Sequence, residues 1–162
     1  MAHEPEWYET LFSGVMLEVQ RRIPWATAVE AEFICRELAP APDAKILDVP
    51  CGNGRLSVAL ASKGFNVSGV DLTAEILVDA RQAAKQNNLD IVFHQRDMRD
   101  LPWKGEFDHA FCFGNSFAYL GDEGDRKFLS AVANVLRPGG TFLLETHFVA
   151  ETVFLQRLQK RY

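Results

Sequence analysis

The chain has 162 residues, about half of them apolar, and a formal net charge of −5. That length suits one domain of a folded protein, and no lysine or arginine block suggests a nucleic-acid face. No leader peptide or membrane-length apolar run is visible, so the expectation is a cytoplasmic protein with no membrane partner. The three cysteines, Cys35, Cys51 and Cys112, are odd in number and lack C-x-x-C spacing. Neither a metal site nor a disulfide framework is expected from them.

Taken in order, residues 4–22 read as one amphipathic helix, with Trp7, Tyr8, Leu11, Phe12, Val15 and Val19 at helical spacing. Pro24 ends it. A second helix is predicted over residues 26–38, with Val29, Phe33, Ile34 and Leu38 on its apolar face, closed by Pro40 and Pro42. Next comes the densest signal in the chain, KILDVPCGNGRLSVALASKGFNVSGVD over residues 45–71. Ile46, Leu47 and Val49 read as a buried parallel strand. Pro50-Cys51-Gly52-Asn53-Gly54 is a turn, and a helix begins near Arg55. Gly64 stops that helix, and residues 67–70 form a second strand ending on Asp71. A strand, a glycine turn, a helix and a second strand ending in carboxylate make half of a nucleotide-binding βαβ unit. Gly52 and Gly54 free the backbone to bend and to approach a ligand. Asp71 is placed to accept hydrogen bonds from two ribose hydroxyls.

Asp48-Val49-Pro50-Cys51-Gly52-Asn53-Gly54 resembles the first motif of class I S-adenosylmethionine-dependent methyltransferases, D-x-G-x-G-x-G. Pro50 departs from it by standing where the first glycine is usual; it is expected to fix the turn. The resemblance implies a Rossmann-like α/β fold, a doubly wound parallel sheet of strand order 3-2-1-4-5. It also implies N-terminal helices over the cofactor crevice, with Tyr8 reaching the methionine end of the ligand. S-adenosylmethionine would be the cofactor and S-adenosylhomocysteine the product. Leu72 would pack on the adenine ring.

Thr73 is a candidate N-cap for a helix reaching Gln86. The third strand, residues 91–95, ends at Arg96-Asp97-Met98. In the resembled family this is the adenine-recognition element: Asp97 accepts from the amino group and the Met98 N–H donates to a ring nitrogen. Residues 107–113 form the fourth strand, and Phe113 and Gly114 fall at the topological switch point beside the glycine turn. Their carbonyls would face the amino group of the cofactor. Tyr119 and His147 are the candidates for the methyl-transfer end, His147 as a base. A helix over residues 126–136 leads to Arg137-Pro138-Gly139-Gly140, a turn into the fifth strand, residues 141–145. This L-x-P-G-G turn also resembles the family.

The organisation expected is a helical cover over residues 1–43, a cofactor-binding domain over 44–147, and a C-terminal helix over 148–162. Class I methyltransferases continue to two further strands, so the chain reads as truncated, with the apolar fifth strand left as an edge through which copies could self-associate. The function expected is methyl transfer to a small-molecule acceptor. A cofactor-binding fragment without activity is the alternative. A nicotinamide-dependent oxidoreductase is less favoured, because its G-x-G-x-x-G fingerprint would need glycine where Ser57 stands.

Overall fold

A computed structural model describes residues 6–146. Eleven elements follow in order: α1 (Trp7–Leu11), α2 (Gly14–Arg22), α3 (Thr27–Leu38), β1 (Lys45–Asp48), α4 (Arg55–Ala61), β2 (Asn66–Asp71), α5 (Ala74–Gln86), β3 (Val92–Gln95), β4 (Phe107–Cys112), α6 (Gly121–Val135) and β5 (Leu136–Leu144). The five strands form one parallel sheet of order β3-β2-β1-β4-β5, the order expected.

Alternation along the strands divides the core into two faces. Ile46 and Phe111 point to one side, where Ala31, Ile34 and Leu38 of α3 and Leu56 and Leu60 of α4 cover them. Leu47, Ala110 and Cys112 point to the other, under Phe128, Val132 and Val135 of α6. A third cluster joins Leu77, Ala80 and Ala84 of α5 to Cys51 and Phe93. β1 is buried on both faces, as a central parallel strand must be.

Several details differ from the sequence reading. The predicted helix over residues 4–22 is two helices, because Gly14 adopts φ +53° and turns the chain after Leu11. Val15 and Val19 lie on the open side of α2, Val15 80% exposed, while Leu17 is the buried contact. In α3 the buried residues are Ala31, Ile34 and Leu38, and Val29 is 68% exposed. The apolar stripe of both helices is therefore rotated from the one that periodicity suggested. α6 begins five residues early, at Gly121, with Asp122 and Glu123 in its first turn favouring the helix N-terminus. Arg137–Gly140 is not a turn before β5 but a bulge within it. Phe107 pairs with Leu136 and His109 with Thr141, and Gly139 takes up the extra length at φ +84°. The helix expected over residues 148–162 lies outside the described residues.

Candidate functional site

The carboxyl ends of β1, β2, β3 and β4 open onto one cleft, where a parallel sheet reverses its strand order. From β1 and its turn come Asp48, Pro50, Cys51, Gly52, Asn53, Arg55 and Leu56. Asp71 and Leu72 follow β2, Asp97 and Met98 follow β3, and Phe113, Gly114, Ser116 and Tyr119 follow β4. Tyr8, Phe12, Gln20 and Trp25 of the N-terminal segment also line it, with Thr73, Ile76, Arg96 and Leu120. Almost every candidate named from sequence thus meets in one place. His147 lies outside the described residues, and Gly54 is the exception in position.

Gly54 is buried and does not line the cleft. Its φ is +72°, and a Cβ there would stand 2.9 Å from both Ala80 Cβ and Phe93 Cζ. Its lack of a side chain serves helix-to-strand packing rather than ligand approach. Gly52, at φ +53°, does face the cleft, across from Ile76.

Asp71 holds the turn in shape. The Gly52 N–H donates to its Oδ2 and the Thr73 N–H to its Oδ1, both at 2.9 Å. The second bond comes from the N–H of Thr73 itself, which makes no side-chain cap on α5, contrary to the capping expected of it. Burial pushes the Asp71 carboxyl above its ordinary range, against these hydrogen bonds, which favour ionisation. Behind the turn, Asp48 is almost fully buried and accepts from Ser57 Oγ at 2.6 Å. Burial pushes its carboxyl up to about 7, with Ser57 and Arg55 opposing. The Cys51 thiol is raised well above its usual range by burial, so it is a packing group and not a nucleophile.

On the far side, Asp97 is already engaged. Arg99 Nε donates to its Oδ1 at 2.9 Å, and the Arg99 N–H donates to the same oxygen at 2.8 Å. Burial resists ionisation of Asp97, yet the Arg99 bonds outweigh it and hold the carboxyl below the usual range. Arg99 also reaches the Tyr8 hydroxyl at 3.3 Å, tying the cover to the β3 end. The Gly114 and Asn115 N–H groups donate to Glu145 Oε2 at 2.9 and 3.0 Å, which fixes the turn after β4.

Sequence reasoning missed Arg55, Arg99 and Glu145. Arg55 pairs with Glu30 and lies over the Trp25 ring, 4.6 Å from its centroid. Its position as the first residue of a helix beside the turn was the one available signal.

A profile of the methyltransferase domain family matches residues 46–140. The chain belongs to the S-adenosylmethionine-dependent methyltransferases. A putative methyltransferase of Bacillus subtilis (strain 168), YqeM, is 33% identical over 141 residues, covering 84% of this chain and 54% of the relative. A 23S rRNA (uracil(1939)-C(5))-methyltransferase of Shewanella baltica (strain OS195) is 49% identical over 76 residues, 44% of this chain and 17% of that one. Among solved structures, S-adenosylmethionine-bound CalS10, an amino pentose methyltransferase from Micromonospora echinaspora, superposes with a TM-score of 0.72 at 28% identity, covering 93% of this chain and 61% of that one. The chain spans about half the length of curated relatives it matches, such as YqeM.

The residues present fit the family's cofactor, S-adenosylmethionine. Gly52 leaves a side-chain-free wall, and Leu72 and Met98 give apolar surface beside two carboxylates, Asp71 and Asp97. That set suits a ribose and a purine carrying a cationic amino-acid tail. Among the described residues no cluster of ligands for a metal ion occurs, and no helix is long and apolar enough to cross a membrane.

Proposed function

We propose that this chain binds S-adenosylmethionine in the cleft and transfers its methyl group to a small-molecule acceptor. The observation that carries the reading is Asp71: one carboxylate holds the glycine turn of β1 and lines the cleft onto which four strand ends open. In this reading Asp71 receives the ribose hydroxyls, and Leu72 and Met98 hold the adenine between them. Asp97 accepts from the adenine amino group while sharing its charge with Arg99. The Phe113 and Gly114 carbonyls take the ligand's amino group.

When bound, the cofactor supplies a methyl carbon already made electrophilic by a sulfonium. The chain's own contribution is position. Tyr8 and Phe12 lie across the cleft and exclude water, and holding the acceptor in line can supply an effective molarity of roughly 10⁵ M or more. A covered cleft supports a small acceptor over a macromolecule. CalS10, similar over nearly the whole described chain, acts on an amino pentose, whereas the rRNA enzyme matches over less than half.

Calorimetric titration with S-adenosylmethionine, S-adenosylhomocysteine and NAD tests the cofactor. Both sulfur ligands are expected to bind and NAD is not; binding of NAD alone would overturn the reading.

A further inference from the structure

One end of the cleft is made of rings. Phe12 and Tyr119 lie nearly parallel, 20° apart with centroids separated by 6.3 Å. Trp7 meets Tyr119 edge-on at 4.9 Å, and Tyr8 meets Trp7 edge-on at 5.8 Å. Two other rings of the lining already have a protein cation: Arg55 covers Trp25, and Arg99 stands 5.8 Å from the Tyr8 centroid. Phe12 and Tyr119 have none among the described residues.

No histidine, lysine or glutamate of the described residues lines the cleft. Its three aspartates are hydrogen-bonded within the protein, Asp48 to Ser57, Asp71 to the turn and Asp97 to Arg99, and in the reading above Asp71 and Asp97 face the cofactor rather than the acceptor. Burial raises the Tyr119 hydroxyl above its ordinary range, so it stays protonated and cannot serve as a base near neutral pH. An alcohol or phenol acceptor needs a base to become nucleophilic. A neutral amine does not.

We infer that the acceptor is an amine whose methylated, cationic nitrogen is held against the faces of Phe12 and Tyr119; this rests on the methyl-transfer reading above. The amine lone pair forms the new C–N bond, and the S–CH₃ bond breaks with its electron pair remaining on sulfur. The positive charge passes from sulfur to nitrogen, and a proton then leaves the ammonium to water. Net charge in the cleft is unchanged as the bond forms. The negative faces of two rings are suited to stabilise a cation that arises on nitrogen.

The test uses the 162-residue chain and reads binding rather than turnover. Titration with S-adenosylhomocysteine comes first. The loaded protein is then titrated with choline and with 3,3-dimethylbutan-1-ol, its uncharged isostere. Choline is expected to bind about thirtyfold more tightly, the factor that corresponds to a desolvated cation–π contact. Tyr119→Leu and Phe12→Leu should each erase that preference and Tyr119→Phe should keep it, with thermal unfolding followed by circular dichroism as the check that each variant folds. If Tyr119→Leu fails that check, Phe12→Leu decides. Equal affinity for the two probes, or a preference that survives loss of the ring, overturns the acceptor assignment and leaves the cofactor reading standing. Failure to bind S-adenosylhomocysteine at all removes both.

Discussion

The two sides of the cleft are built by different means. The strand side, from Asp48 through Asp71, is fixed by hydrogen bonds inside the core: Ser57 to Asp48, and Gly52 and Thr73 to Asp71. The covering side, α1 and α2, is held by ring contacts, by the Tyr8–Arg99 hydrogen bond, and by an Arg21–Asp79 pair exposed to water. Buried hydrogen bonds leave costly orphans when broken, whereas exposed ion pairs exchange for water at little cost. The strand side should therefore behave as a rigid half-mould, and the cover as the part that yields first.

The largest expected effect comes from pH. The Asp48 carboxyl is raised in the fold from 3.8 to about 7 by burial. The unfolded chain therefore releases this proton first. Stability from Asp48 is complete below about pH 4 and is lost as pH rises through about 7, a change on the order of a few kcal/mol. Asp48→Asn should flatten this slope in thermal unfolding measured from pH 4 to 8. A wild-type stability that rises with pH across that window, with no difference in Asp48→Asn, would contradict it.

Next is Gly54→Ala. A Cβ 2.9 Å from Ala80 and Phe93 at φ +72° combines overpacking with left-handed backbone, and should cost about 2–4 kcal/mol in urea unfolding. A cost below about 1 kcal/mol would show that Phe93 moves aside freely.

The sharpest contrast pairs Asp71 with Asp79. Asp71→Ala is expected to weaken S-adenosylhomocysteine binding by about 1.5–3 kcal/mol, the range for hydrogen bonds to a charged group. Asp79→Ala, which releases only the Arg21 pair on the surface, should leave that affinity unchanged. Comparable losses by calorimetry would erase the distinction between mould and cover.

How far each half was legible from sequence follows the same division. The motif at Asp48–Gly54, the carboxylate at Asp71 and the parallel strand order could be read because backbone geometry at a glycine turn leaves few alternatives. The cover was misread because helical periodicity ran unbroken through Phe12, Ser13 and Gly14, where the structure turns. The partner of Asp97 was hidden although only two residues away. Its carboxylate folds back on the Arg99 N–H, a local turn that no apolar pattern records. Glu145 was legible only as the polar end of a strand. Its hydrogen bonds to Gly114 and Asn115 depend on β4 and β5 lying side by side, a relation 30 residues apart in the chain.

Phe93 links two glycines that sequence alone would treat separately. Its ring occupies the space that a Cβ would need at Gly54 and, at 2.5 Å from Cδ1, at Gly69. The three positions share a single volume, so they are free to vary only in a particular order. A lineage that first shrinks residue 93 removes one clash at each position, while Ala80 Cβ still crowds position 54 and the Cys51 sulfur still crowds position 69, both at 2.9 Å. One that acquires either alanine first must cross a less stable intermediate. The glycine that closes the binding motif is thus held in place, through Phe93 and Ala80, by the inheritance of its neighbours as well as by the shape of its turn.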